Sequence, residues 1–199
     1  MFCALKNGLA ALCCCCFLAI PGVAQENELL DLAAVKDIPI WSSEHNKELS
    51  IGSSGKIEAL VLISPECPMS INYTLTLNQL QEQYASELRI TGIIVGSTYS
   101  DKTVLQFARS YNIGYTLLTD KKREVALKLK GEVTPEVYLF NQEGQCVYRG
   151  AIDNWLTKLG KKKQKPDQLY LADAVRQVIH GEPVTISYVK AQGCVLNEY

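Results

Sequence analysis

Ala59-Leu60-Val61-Leu62-Ile63-Ser64-Pro65-Glu66-Cys67-Pro68-Met69-Ser70 is the stretch on which the reading of this chain turns. Its first five residues form an unbroken apolar run and read as a buried strand. Pro65 and Pro68 mark a turn. The segment from Asn72 to Tyr84 then places Leu77, Leu80 and Tyr84 on one helical stripe. Cys67 therefore sits at a strand-to-helix junction, beside the unpaired N–H groups and positive dipole end of the helix. That setting favours a thiolate over a thiol and makes the sulfur a candidate nucleophile. A buried structural cysteine is the plainer alternative.

Working outward, Ile38 to Trp41 and Leu49 to Ile51 flank a polar turn and read as a short hairpin. Leu88 to Gly96 is β-rich and reads as a second buried strand. Asp101 to Tyr111 reads as a helix capped by Ser100 or Asp101, with Val104, Leu105, Phe107, Ala108 and Tyr111 inward. A short strand follows at Tyr115 to Thr119, and then a helix from Lys121 to Lys130 ended by Gly131. Val137 to Phe140 and Cys146 to Arg149 flank Asn141-Gln142-Glu143-Gly144 as a hairpin. Gln168 to His180 reads as a last helix carrying Leu169, Leu171, Ala172, Val175 and Ile179. This order predicts one α/β domain, a central mixed sheet flanked by helices.

Residues 1–24 read as an export signal: one cation at Lys6, an apolar segment from Leu9 to Ile20 too short to span a bilayer, and small residues before Gln25. Residues 25–35 read as a lead-in, 36–183 as the domain, and 184–199 as a C-terminal tail. Of 8 cysteines, Cys3 and Cys13 to Cys16 leave with the signal, so Cys67, Cys146 and Cys194 meet an oxidising, periplasmic or extracytoplasmic compartment. Removing the signal takes the net charge from −1 to −2. A balance this close to neutral gives no support for nucleic-acid binding. No second apolar stretch is long enough to span a membrane. The cationic Lys161 to Lys165 segment reads as a solvated loop.

The cysteine turn, Val133-Thr134-Pro135-Glu136-Val137, and the hairpin closing on Tyr148-Arg149-Gly150-Ala151-Ile152-Asp153 together resemble a thioredoxin-fold redoxin of the alkyl hydroperoxide reductase/thiol-specific antioxidant family. The likeness spans roughly residues 36–183. It is nearer still to exported bacterial redoxins with a single Cys-Pro-x-Ser turn and a late Gly-Cys. The resemblance implies a thioredoxin-like fold and thiol chemistry on a thiol/disulfide protein partner or a peroxide, with a separate electron donor. It also implies a cis Thr134-Pro135 bond facing Cys67, with the Thr134 backbone open to an extended peptide. Pro68, Glu136 and Arg149 join that substrate-facing set. Such a fold needs no cofactor and no metal.

Departures from the family pattern shape the rest. Thioredoxins carry Cys-x-x-Cys; here Ser70 holds the second position, as a hydroxyl donor to the thiolate or a helix-start cap. In the peroxiredoxin pattern Pro-x-x-x-Thr-x-x-Cys, Ser64 keeps a hydroxyl at the threonine position, while Leu60 replaces the proline. Arg149 is then a candidate for orienting a peroxide or for an ordinary salt bridge. Cys194, 127 residues after Cys67, can resolve an oxidised Cys67 because closure entropy grows slowly with length. A permanent Cys67–Cys194 staple is the alternative, and would suit a non-catalytic binding or accessory module. A copper-binding accessory protein using both cysteines and a histidine, His45 or His180, is a third reading. Cys146 reads as inert, and Asp153-Asn154-Trp155 as either a groove lining or core.

Overall fold

Every residue of β3 (Ile57–Ile63) is buried, and its alternating side chains feed two separate cores. Ile57, Ala59, Val61 and Ile63 join one; Leu60 and Leu62 join the other. A strand with apolar residues on both faces belongs in the middle of a covered sheet. The structure, a computed structural model, describes residues 30–52, 54–158 and 161–196. The expected signal at 1–24 and the first part of the lead-in lie outside the described residues.

The first element among the described residues is a 3₁₀ turn at Leu32–Ala34, followed by the hairpin β1 (Ile40–Ser42) and β2 (Lys47–Leu49) and then β3. Next come α1 (Pro68–Gln83), β4 (Leu88–Val95), α2 (Asp101–Ser110), β5 (Thr116–Asp120) and α3 (Glu124–Lys128). β6 (Val133–Thr134), β7 (Glu136–Phe140) and β8 (Cys146–Gly150) precede a small hairpin of β9 (Leu156–Lys158) and β10 (Lys161–Lys162). The last elements are α4 (Tyr170–Ile179), β11 (Tyr188–Val189) and β12 (Cys194–Val195). The main sheet has the order β11-β8-β7-β3-β4-β5-β1-β2. β3, β4 and β5 run parallel, while β7 is antiparallel to both β3 and β8. The sheet is mixed, as expected.

The first core packs α1 (Tyr73, Leu77, Leu80), α2 (Val104, Phe107) and α4 (Leu171, Ala174, Val175) on the sheet. The second packs Val125 of α3 and Leu129 at its C-cap with Leu30, Leu32 and Val35 of the lead-in. Glu58, buried within β3, is held by the Arg89 guanidinium at 2.7 Å and by the Ser54 hydroxyl at 2.5 Å.

Several sequence expectations shift. α1 begins at Pro68, four residues before the expected start at Asn72, because Pro68 is preset for the first helical position. α3 is a single short helix rather than a run from Lys121 to Lys130. Its end is a Schellman turn in which Lys130, not Gly131, takes the left-handed position (φ 54°). The N–H of Gly131 bonds to Ala126 O and that of Lys130 to Leu127 O. Gly131 is needed for room: a Cβ there would collide with the Leu62 side chain. Tyr111 and Leu169 are exposed, lying just beyond the helix ends that would have turned them inward. The lysine-rich loop is partly ordered into β10, and Lys163 pairs with Asp167 at 2.6 Å.

The C-terminal segment is seated on the domain. β11 extends the main sheet, running parallel to β8, with Arg149 N–H bonding to Ser187 O and Ala151 N–H to Val189 O. Gly150 (φ 123°) makes this possible, since a Cβ there would overlap the Val189 backbone. Gly150→Ala is expected to weaken the seat by about 1–3 kcal/mol. Backbone hydrogen exchange across residues 184–196 should quicken by roughly tenfold or more while that of β3 is unchanged; equal exchange in both proteins would count against the seating.

Candidate functional site

Cys67 is the N-cap of α1, with extended backbone (φ −80°, ψ 115°). Its N–H bonds to Ser64 O at 3.3 Å, and its carbonyl accepts from Ile71 at 3.0 Å. Pro68 follows at the first helical position and is exposed. An N-cap side chain normally offers an oxygen to the first free N–H groups. Here no side chain makes that bond, and a sulfur holds the capping position.

The Thr134-Pro135 peptide is cis and faces this sulfur: Cys67 Sγ lies 3.1 Å from Thr134 O. Cys194 arrives on β12, which pairs antiparallel with β6, Cys194 opposite Thr134 and Val195 opposite Val133. Leu196 continues the ladder, its N–H bonding to Glu132 O at 2.9 Å. Cys67 and Cys194 form a disulfide with a Cα–Cα distance of 6.1 Å. Cys67 is buried and Cys194 half-buried. The Thr134 backbone, expected to be open for an extended peptide, is thus taken by the protein's own tail.

The expected hydroxyls are close by but do not address the sulfur. Ser70 Oγ, fully buried, accepts from Ser64 N–H at 3.2 Å and so ties the turn to the first turn of α1. Ser64 Oγ shares a hydrogen bond with Tyr99 OH at 2.9 Å. Ser64 and Tyr99 line a cleft of about 470 Å³ beside the disulfide, together with Glu66, Thr98 and Arg123. Arg123 stands at the start of α3 in a left-handed conformation (φ 63°). Tyr99 and Arg123 were missed by the sequence reading. They lie 32 and 56 residues from Cys67, Tyr99 just before the N-cap of α2 and Arg123 at the N-cap of α3, with no local pattern that ties either to the cysteine turn.

Glu136 and Arg149 sit elsewhere. Arg149 Nε donates to Glu136 Oε1 at 3.1 Å and Nη2 to Lys130 O at 2.9 Å, and its guanidinium lies over the Tyr138 ring. The pair lines a separate cleft with Lys130, Glu132, Tyr188 and Lys190. Pro135 lines a third cleft with Tyr73, Asp153 and Asn154. There Tyr73 OH donates to buried Asp153 at 2.5 Å, and burial, followed by that bond, raises the phenol's pKa. Trp155 packs edge-on against Tyr73 at 5.9 Å and is half-buried.

The remaining polar candidates are accounted for locally. His45 Nδ1 lies 3.0 Å from Ser42 Oγ in the β1–β2 turn, and His180 caps the C-terminus of α4. Among the described residues, no three His, Cys, Asp or Glu side chains gather in a metal-ligand arrangement. None of the described helices is long and apolar enough to cross a membrane.

No protein-family model matches the sequence, and no curated protein matches it. Solved structures do. A hypothetical protein of Sinorhizobium meliloti superposes with a TM-score of 0.73 at 21% identity, over 83% of this chain and 91% of that one. Peroxiredoxin Q of Xanthomonas campestris matches with a TM-score of 0.55 at 19% identity, over 78% and 98%. A secreted disulfide oxidoreductase of Mycobacterium tuberculosis matches with a TM-score of 0.50 at 14% identity, over 71% and 94%. The fold is thioredoxin-like α/β.

Cys146 stands apart from this chemistry. It is the free thiol among the described residues, and its sulfur contacts Tyr148 O at 3.4 Å. Burial pushes its pKa up to about 12, with only partial relief from Arg149. At pH 8 it should react with iodoacetamide at least about a hundredfold more slowly than an unburied cysteine. Mass-mapped alkylation time courses check this, and comparable rates would show that the thiol is not shielded.

Proposed function

We propose that the protein is an exported thiol–disulfide oxidoreductase in which Cys67 is the nucleophile and Cys194 the resolving thiol. The observation that carries this reading is the β6–β12 ladder, which delivers Cys194 to a sulfur at a helix N-terminus. In the reduced protein the Cys67 thiolate attacks one sulfur of a partner disulfide. A Cys67–partner bond forms, the partner bond breaks, and the second partner sulfur leaves as a thiolate that takes up a proton. The Cys194 thiolate then attacks Cys67, forming the intramolecular disulfide and expelling the first partner sulfur. The partner gains two electrons and the protein loses two; an external dithiol donor restores the reduced form.

The helix N-terminus stabilises the attacking thiolate. Ser70 positions the turn through Ser64 rather than touching the reacting atoms, and Thr134-Pro135 forms the wall against which the partner lies. Disulfide is favoured over peroxide as the oxidant because the site is already shaped to an extended strand, and Arg149 is committed to Glu136 and Lys130. Export is supported by the composition of residues 1–24 and by a disulfide that suits an oxidising compartment.

With a disulfide-bonded protein substrate, the reduced protein should complete the exchange and end as the intramolecular disulfide. Cys194→Ser should instead accumulate a mixed disulfide at Cys67, with turnover falling by about tenfold or more, as expected when thiol exchange lacks its internal attacking group. Intact-mass and peptide mapping of quenched samples check this. Turnover unchanged in Cys194→Ser would overturn the resolving role.

A further inference from the structure

The seated tail, read as a template, specifies the sequence of the partner segment that the site accepts. We infer that the groove along β6 takes an extended segment of a partner protein with the pattern Gly-Cys-x-apolar, disulfide-bonded at its cysteine. This rests on the thiol-exchange reading above.

Each position of the pattern comes from a contact. The residue before the cysteine is Gly193, buried against the Thr134 carbonyl. A Cβ built there would overlap Thr134 O, come within 2.6 Å of Thr134 C and lie 3.2 Å from Pro135 N. All three are backbone atoms, and β6 is itself packed beneath the disulfide. No side chain can swing aside, so the position excludes everything larger than glycine.

The next position is the cysteine, fixed opposite Thr134 by the antiparallel register. The following residue, Val195, is 72% exposed, so its side chain meets solvent and sets no requirement. The residue after that, Leu196, packs on the second core over Gly131; a Cβ on Gly131 would lie 3.4 Å from its Cδ1. The missing side chain of Gly131 thus leaves a shallow apolar seat at this position. Backbone pairing supplies the general affinity and alternate side chains the choice, as in strand addition elsewhere.

The tail and the partner segment compete for the same edge. The partner enters as β12 leaves, and resolution by Cys194 returns β12 to β6 as the partner's sulfur is expelled. Strand exchange and thiol exchange are therefore one event.

The test uses reduced Cys194→Ser protein and blocked peptides of sequence Gln-Gly-Cys-Val-Leu. The peptide cysteine is activated as a mixed disulfide with 5-thio-2-nitrobenzoate. Attack by Cys67 forms the Cys67–peptide disulfide and releases the coloured thiolate, read by absorbance with the adduct confirmed by mass. A peptide with alanine in place of glycine should react about tenfold or more slowly, the cost of forcing a methyl group into closed packing. Aspartate in place of leucine should slow the reaction by about tenfold. Lysine in place of valine should change it by less than about twofold, as at an exposed position. Ellman's reagent itself supplies the control. Ready reaction with it but equal rates for all four peptides overturns the groove inference and leaves thiol exchange standing. No reaction of Cys67 with Ellman's reagent overturns both.

Discussion

The structure depends on a two-residue strand pair. β12 has no core of its own and no helix to carry it, yet its register on β6 puts Cys194 opposite Thr134 and within bonding reach of Cys67. Three features converge to hold it there. The tail is first laid along β8 by β11, through the opening at Gly150. Gly193 then lets the backbone close on the Thr134 carbonyl. Leu196 anchors the far end in the second core. Together they bring the two cysteines, 127 residues apart in sequence, into reach from a position already beside the sulfur rather than by chance closure of a free tail.

Beneath that pair, β3 does the positioning. Its side chains are divided between two cores, so the strand cannot slip by one residue without exchanging both faces. The turn that leaves it is braced by Ser70 and Ser64, and the helix that follows packs Leu77 and Leu80 on the sheet. The cysteine therefore follows a fully buried central strand, at the start of the longest described helix. For the proposed exchange this matters, because a mobile Cys67 would forfeit the alignment that attack along a disulfide axis requires.

Much of this could be read from the chain. The run at 59–63, the proline-flanked cysteine, Thr134-Pro135 and the hairpin around Asn141 to Gly144 are local signals, each written within a dozen residues. Their outcome follows the expectation: a central strand, an N-cap sulfur, a cis peptide and a hairpin. What stayed hidden was non-local. A two-residue strand carries no periodicity, so the occupation of Thr134 by the tail has no sequence signature beyond a glycine before a cysteine. Tyr99 and Arg123 join the cleft only through folding, and Arg149 is drawn to Glu136, its near-neighbour across the β7–β8 hairpin. The lesson of Gly131 and Lys130 is similar. A glycine at a helix end suggested its familiar left-handed role, whereas packing against Leu62 is what demands it.

Two effects oppose each other in the disulfide. The preseated tail favours the closed bond, because Cys194 is held at high effective concentration. The helix N-terminus favours the open form, because it stabilises the Cys67 thiolate, and a stabilised reduced form makes a disulfide oxidising. The proposed exchange needs the two in balance: a closed bond stable enough for the reduced protein to give its electrons to the partner, yet open enough for an external dithiol to restore the thiols. The decisive measurement is differential alkylation with mass mapping across a series of thiol redox buffers. The account predicts that Cys67 and Cys194 open together at a midpoint above about −300 mV, while Cys146 stays unreacted throughout. A bond that remains closed to lower potentials would make it a structural staple and the protein a binding module.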